Sequence, residues 1–164
     1  MAKFIFILFA SAIVSFHPAC RAPTKHYYHI MDYEHDLDTK QLRKLDSLYE
    51  DHEENTTNEI ALVTTSSFCP DSNIDLYALH KFRALGLGRP DISNGLIIVF
   101  SKANHSVRIT TGLGTEKVLT NDVAKRIIDS VMLPPFREDS IYKGLWMGSY
   151  TIVDFLERQG NRIR

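Results

Sequence analysis

The run Leu96–Ser101, Leu-Ile-Ile-Val-Phe-Ser, constrains the fold more than any other stretch. Its consecutive bulky apolar residues leave no polar face, so a strand made from them has to be covered on both sides. A polar turn, "KANH", follows, and then "SVRITT", where Val107 and Ile109 alternate with Arg108 and Thr110. Two strand patterns joined by a short turn make a hairpin. Upstream, "EIALVTTSS" (Glu59–Ser67) is a second apolar, β-rich run of buried-strand length. Between the two lies a helical stripe of Ile74, Tyr77, Ala78, Phe82 and Leu85. Strand, helix and strand in that order predict a parallel pair with a right-handed crossover. The hairpin adds an antiparallel strand. The expected class is α/β, a small mixed sheet with helices on its faces.

The helices carry their own boundaries. Asp38-Thr39 can cap a helix whose apolar positions are Leu42, Leu45, Leu48 and Tyr49, which predicts Thr39 to about His52, broken by "EENTTN". Gly86 and Gly88 suit a left-handed end to the second helix. Val123, Ile127, Ile128 and Val131 mark a third helix, which Pro134 and Pro135 are expected to stop. The last helix runs from about Ser140 to Leu156, with Tyr142, Leu145, Ser149, Ile152, Val153 and Leu156 on its stripe. Gly144 and Gly148 lie one turn apart on it. Between membrane helices that spacing drives dimerisation; with Lys143, Asp154 and Glu157 on the same segment, close packing against the sheet is expected instead. The predicted order is α-β-α-β-β-α-α, without internal repeats.

At 164 residues with a net charge of −1, the chain is one domain, with no basic excess pointing to nucleic acid and no acidic block pointing to a disordered tail. Its first twenty residues differ from the rest. Lys3 precedes an apolar run from Phe4 to about Phe16, short of the ~20 residues a membrane helix needs. Charged start, apolar middle and small residues at the end are the layout of an export signal, taken as residues 1–22. Ala19-Cys20 points to lipidation of Cys20, with cleavage near Ala22 or an uncleaved anchor as the alternatives. Cys69 is the only other cysteine. It is a lone thiol if Cys20 is acylated, or half of a bridge if it is not. No zinc-type spacing occurs. Residues 23–37 read as a linker, and 38–160 as the domain. His26, His29, His35, Asp32 and Asp36 in the linker region read as a solvated tether rather than a metal-binding tract, because nothing orders them into one coordination sphere.

Candidate chemistry follows from the hairpin. The start of its first strand lies beside the end of its second, which brings "PDISNG" (90–95) against "TGLGTE" (111–116). Asp91, Ser93, Asn94, Glu116, Asn121 and Asp122 then reach one cleft, as oxygen donors suited to Ca²⁺ or Mg²⁺. Cys69 and Asp71, after the other strand, belong at the opposite edge. Gly112-Leu113-Gly114 fails as a phosphate loop, because Glu116 and Lys117 separate it from the next helix; its glycines read as devices that turn the chain out of the sheet. Thr120 or Asn121 caps that helix. Thr64, Thr65, Ser66 and Ser67 have no base placed to activate them and read as strand and turn. There is no P-loop, no Cys-x5-Arg and no Asp-x-Asp. Phe136, Phe155 and Trp146 read as packing, the last at the rim, and His80 and His105 as solvated.

"NEIALVTTSS", "LHKFRALGLG", "NGLIIVFS", "VRITTGLGTEKVLTND" and "GLWMGSYTIVDFL" fall in an order and spacing that resembles the TPM domain, over about residues 38–157. That domain is shared by a thylakoid-lumen photosystem II repair protein and many exported bacterial proteins. The resemblance implies an α/β/α sandwich of Rossmann-like layering, outside the cytoplasm, in periplasm or cell envelope. Family members are often membrane-bound; some have acid phosphatase activity and some bind divalent cations. Relatives commonly carry Asp before the Asn-Gly and directly after Leu-Thr, where this chain has Ser93 and Asn121; Glu116 matches. With fewer formal charges, a Ca²⁺ or Mg²⁺ site of Asp91, Asn94, Glu116 and Asp122 is expected to be weak. No catalytic residue is assigned. The expected function is an exported, envelope-tethered module that supports a membrane-protein complex without catalysis. The alternative is a cation-dependent acid phosphatase acting on phosphomonoesters. Since "ERQGNRIR" offers no apolar span, the expected route to the membrane is an N-terminal lipid or signal anchor.

Overall fold

The computed structural model describes residues 29–159. The expected export signal, Cys20 and His26 lie outside the described residues. Four strands form one sheet in the order β1 (Ile30–Asp32), β2 (Glu59–Thr64), β3 (Gly95–Ser101), β4 (Ser106–Thr111). β1, β2 and β3 are parallel, and β4 returns antiparallel to β3 with Ile98 opposite Ile109. The parallel pair and the hairpin are as the sequence predicts. All seven β3 residues are buried, which is why the run is apolar from Leu96 to Phe100 and its one polar residue, Ser101, is hydrogen-bonded to Asn104.

The two faces of the sheet carry different amounts of helix. Ile60, Leu62, Leu96, Ile98, Phe100 and Ile109 point into the larger core, under α1 (Thr39–Thr56) and the helices that follow β4. Ala61, Val63, Ile97 and Val99 point the other way, against Tyr77 and Ala78 of α2 (Ile74–Leu85). The result is a single α/β/α sandwich. Each fully buried Leu, Ile or Val here contributes about 1.5–3 kcal/mol of transfer free energy.

Two segments run past their expected ends. Asp38 closes α1 with a capping box: its carboxylate accepts from the Lys40 and Gln41 N–H groups at 2.7 and 2.9 Å, and the Gln41 side chain accepts from Asp38 N–H at 3.0 Å. The helix then passes His52 and continues to Thr56. Asn55 and Thr56 donate back to the carbonyls of Asp51 and His52 at 2.7 and 2.6 Å, so these polar residues occupy the last turn instead of breaking it. Thr57 ends it with φ of 64°. α2 closes as expected, on Gly86 with φ of 64°.

Pro134 and Pro135 do not stop the third helix. After α3 (Leu113–Glu116) and α4 (Asn121–Ile127), Ile128–Met132 form one π turn in which the Leu133 N–H donates to the Ile128 carbonyl. The prolines are the second and third residues of α5 (Leu133–Arg137), within its first turn, where a missing N–H is tolerated.

Gly144 and Gly148 of α6 (Ile141–Arg158) pack on this segment rather than on the sheet. A Cβ at Gly144 would overlap the Phe136 ring, and one at Gly148 would lie 2.5 Å from Met132 Cγ. α6 also runs alongside α1, where the buried Tyr49 and Ser149 hydroxyls are 2.6 Å apart. Among the described residues, no helix is long and apolar enough to cross a membrane.

The stretch read as linker is part of the domain from His29 onward. Ile30–Asp32 pair with Leu62–Thr64, and Ile30 and Leu37 are buried. His29 puts its ring between Asp46 Oδ1 at 3.3 Å and Glu53 Oε2 at 2.8 Å. Asp32, the last residue of the strand, accepts from Thr64 Oγ1 and from Leu37 N–H at 3.1 Å. A three-residue strand is too short for periodicity to reveal it, and these residues serve two separate places, not one coordination sphere.

Candidate functional site

The antiparallel register of β3 and β4 sets the start of one against the end of the other, and the two loops meet as the hairpin requires. Gly112 N–H donates to the Gly95 carbonyl at 2.9 Å and Gly114 N–H to the Ser93 carbonyl at 3.0 Å. A Cβ at Gly112 would overlap the Ser93 carbonyl, and one at Gly114 the Ile92 carbonyl. These glycines are needed for close approach. The chain turns straight into α3, whose Glu116 N–H donates to the Gly112 carbonyl at 2.9 Å. Between the two glycines, Leu113 is 76% exposed, the most exposed large apolar side chain among the described residues. Thr120 caps α4, accepting from Val123 N–H at 3.4 Å.

The predicted oxygen donors divide into two groups. Asn94 is fully buried and turned inward. Its Oδ1 accepts from Arg89 N–H at 2.8 Å, and its Nδ2 donates to the Thr57 carbonyl and to Asn58 Oδ1, the latter at 3.2 Å. It therefore ties the end of α1 to the loop before β3. Asp91 pairs with Arg89 at 2.8 Å on the surface. Glu116 accepts from Asn121 Nδ2 at 3.4 Å, and Asp122 is exposed in the first turn of α4. Ser93 has a left-handed backbone, with φ of 50°. Among the described residues, no three His, Cys, Asp or Glu side chains are grouped to hold a metal ion. With Asn94 committed to the loop framework, the four predicted ligands do not fit one coordination sphere.

Behind the loops is a polar chain, buried at Asn58 and His52 and open to solvent at Glu157, that the sequence reading missed. Asn58 Nδ2 lies 3.5 Å from His52 Nε2, and His52 Nδ1 lies 3.4 Å from Glu157 Oε1 of α6. Burial pushes the His52 imidazole below its usual value, and the hydrogen bond to Glu157 pulls partly the other way. Its only sequence signal was a histidine on the last turn of an amphipathic helix.

At the opposite edge, Asp71 Oδ1 meets His80 Nδ1 at 2.6 Å, and Cys69 is exposed. Both stay away from the loop cluster, as topology predicts. Thr65 and Ser67 bond to each other's segment, Thr65 Oγ1 donating to the Ser67 carbonyl at 2.8 Å. Asp36 has its carboxyl raised above the ordinary range by burial first and by Glu34 next, with Lys102 opposing. Trp146 is half-buried at the helix rim under Lys44 Nζ, 4.2 Å from the ring centroid.

Similarity agrees with this architecture. The N-terminal domain of a protein from P. gingivalis, solved by NMR, superposes with a TM-score of 0.74 at 26% identity, covering 82% of this chain and 85% of that one. The N-terminal domain of the cg2496 protein from Corynebacterium glutamicum gives 0.59 at 13% identity, covering 85% and 84%. The BA42 protein of the psychrophilic bacterium Bizionia argentinensis gives 0.58 at 18% identity, covering 77% and 81%. The comparison with curated proteins returns no match. The profile of the TPM domain matches residues 30–155, beginning at the first residue of β1 and running to the last turns of α6, so the chain belongs to the TPM domain family.

Proposed function

We propose that this protein is an exported module, held at the cell envelope by its N-terminus, that binds a membrane-protein complex without hydrolysing phosphomonoesters. The observation that carries this reading is Leu113. A single exposed leucine is ordinary. This one stands between two glycines whose N–H groups bond to the neighbouring loop and whose Cα atoms abut its carbonyls. An apolar side chain held out on a rigid turn meets a partner with little ordering cost. The polar residues around it support the same reading, since Asn94, Asp91 and Glu116 each already hold a loop or a neighbour.

The test is capture from membranes of the parent organism with the chain beginning at residue 23, beside its Leu113→Asp variant. The expected result is a membrane protein retained by the first and lost from the second, with equal melting temperatures. Turnover of p-nitrophenyl phosphate near pH 5–6 with Ca²⁺ or Mg²⁺, abolished by Glu116→Ala, would overturn the reading in favour of the phosphatase.

A further inference from the structure

A cavity of about 310 Å³ opens at the far end of the sheet from Leu113, where β3 ends and β4 begins. Phe100, Val107, Leu133 and Phe136 line it, and the Phe100 and Phe136 rings pack with centroids 4.7 Å apart. Lys102, His105 and Arg137 also line it. The one carboxylate among its lining residues, Asp139, is already 3.3 Å from Lys102 Nζ. An apolar wall with an excess of cations is built for an amphipathic anion.

Three further facts fit a binding place. The parallel strands β1, β2 and β3 all end at this edge, and open α/β sheets take ligands just beyond the carboxyl ends of their strands. The turn carrying Lys102 is fixed from behind, because Lys102 and Ala103 N–H both donate to the Glu34 carboxylate, at 2.9 and 3.1 Å. His105 and Asp139 hold left-handed backbone, with φ of 47° and 53°, a conformation that concentrates at ligand clamps.

We propose that this cavity binds a small organic monoanion, a carboxylate on a single ring or short aliphatic body. The body would lie against Phe100 and Phe136, and the carboxylate among Lys102, His105 and Arg137. Size and charge select this class. The volume is at the low end for small-molecule sites, enough for one ring and too little for a nucleotide or a long acyl chain. Lys102 and Arg137 are offset by Asp139 in the lining and by Glu34 and Asp36 beside the Lys102 turn, which leaves room for no more than a single added negative charge.

The experiment is an NMR titration of the full ¹⁵N-labelled chain with phenylacetate. Acetate, benzyl alcohol and phenyl phosphate serve as the body-less, neutral and dianionic comparisons. Saturating shifts at residues 100–107 and 133–141 are expected, with a Kd of roughly 0.1–5 mM for a ligand of this size. Binding should weaken about tenfold or more for acetate and benzyl alcohol, and for the Lys102→Met/Arg137→Met double variant. Val107→Trp, which fills the floor, should abolish it. Shifts scattered over the surface, equal binding of acetate or benzyl alcohol, an unchanged double variant, or tighter binding of phenyl phosphate would each overturn the proposal. If a variant fails to fold, its amide spectrum shows it, and the wild-type shift map with the three comparison ligands decides alone.

Discussion

At Asn94 a side-chain amide takes over the work of backbone pairing, accepting from Arg89 and donating to Thr57 and Asn58. Asn94→Asp keeps the shape but sets a carboxylate oxygen where Nδ2 donates, facing the Thr57 carbonyl and Asn58 Oδ1. A buried carboxylate with one oxygen set against two acceptors costs about 3 kcal/mol or more, so the urea midpoint should fall sharply; an unchanged midpoint would remove the framework role. His52, at the end of the expected helix and in the last turns of α1, predicts a pH dependence. The unfolded chain protonates this imidazole near its ordinary value of 6.5, and the folded chain resists because the ring is buried. The depressed folded value means stability is fully present above about pH 6.5 and lost as pH falls below it. Melting temperatures at about pH 7.5 and 5 should therefore differ less in His52→Gln than in the wild type, if it folds to the same spectrum. A slope that survives the substitution would assign the acid sensitivity to other groups.

Among the elements, α6 and the π-turn segment show how one element's sequence is explained by another's. Gly144 lies against the Phe136 ring and the Met132 carbonyl, while Gly148 lies against the flexible end of Met132. Gly144→Ala must displace a ring that itself packs on Phe100, and should destabilise by about 1–3 kcal/mol. Gly148→Ala asks only a methionine to move, and gains about 0.5–1 kcal/mol of helix propensity, so its net effect should lie near zero. Urea denaturation of the two variants checks the difference, and equal losses would contradict the contact assignment. The same contact explains the prolines. A π turn lets the chain reach α6 with Met132 and Phe136 facing it, and Pro134 and Pro135 fall where helical N–H groups are not needed.

For the molecule as a whole, the boundary of the folded unit is the testable quantity. A chain beginning at Asp38 lacks β1, the buried Ile30 and Leu37, and the His29 contacts to α1. Ile30 and Leu37 alone are worth about 3–6 kcal/mol of burial, against a total of about 5–15 kcal/mol for a domain. Its melting temperature should fall by more than about 10 °C relative to a chain from residue 23, and equal melting would show that β1 is dispensable. By itself the sequence determined the sheet interior, the hairpin and the parallel pair, because period and apolar run length act locally along Leu96–Ser101 and Glu59–Thr64. It also determined that loops 90–95 and 111–116 meet, because antiparallel register leaves no other arrangement. Only the tertiary structure decided which way Asn94 turns, that Gly144 and Gly148 face Met132 and Phe136, and that a three-residue strand completes the sheet. Those outcomes depend on partners distant in the chain, and a side chain's residue type states what it can bond to but not which partner the fold brings within reach.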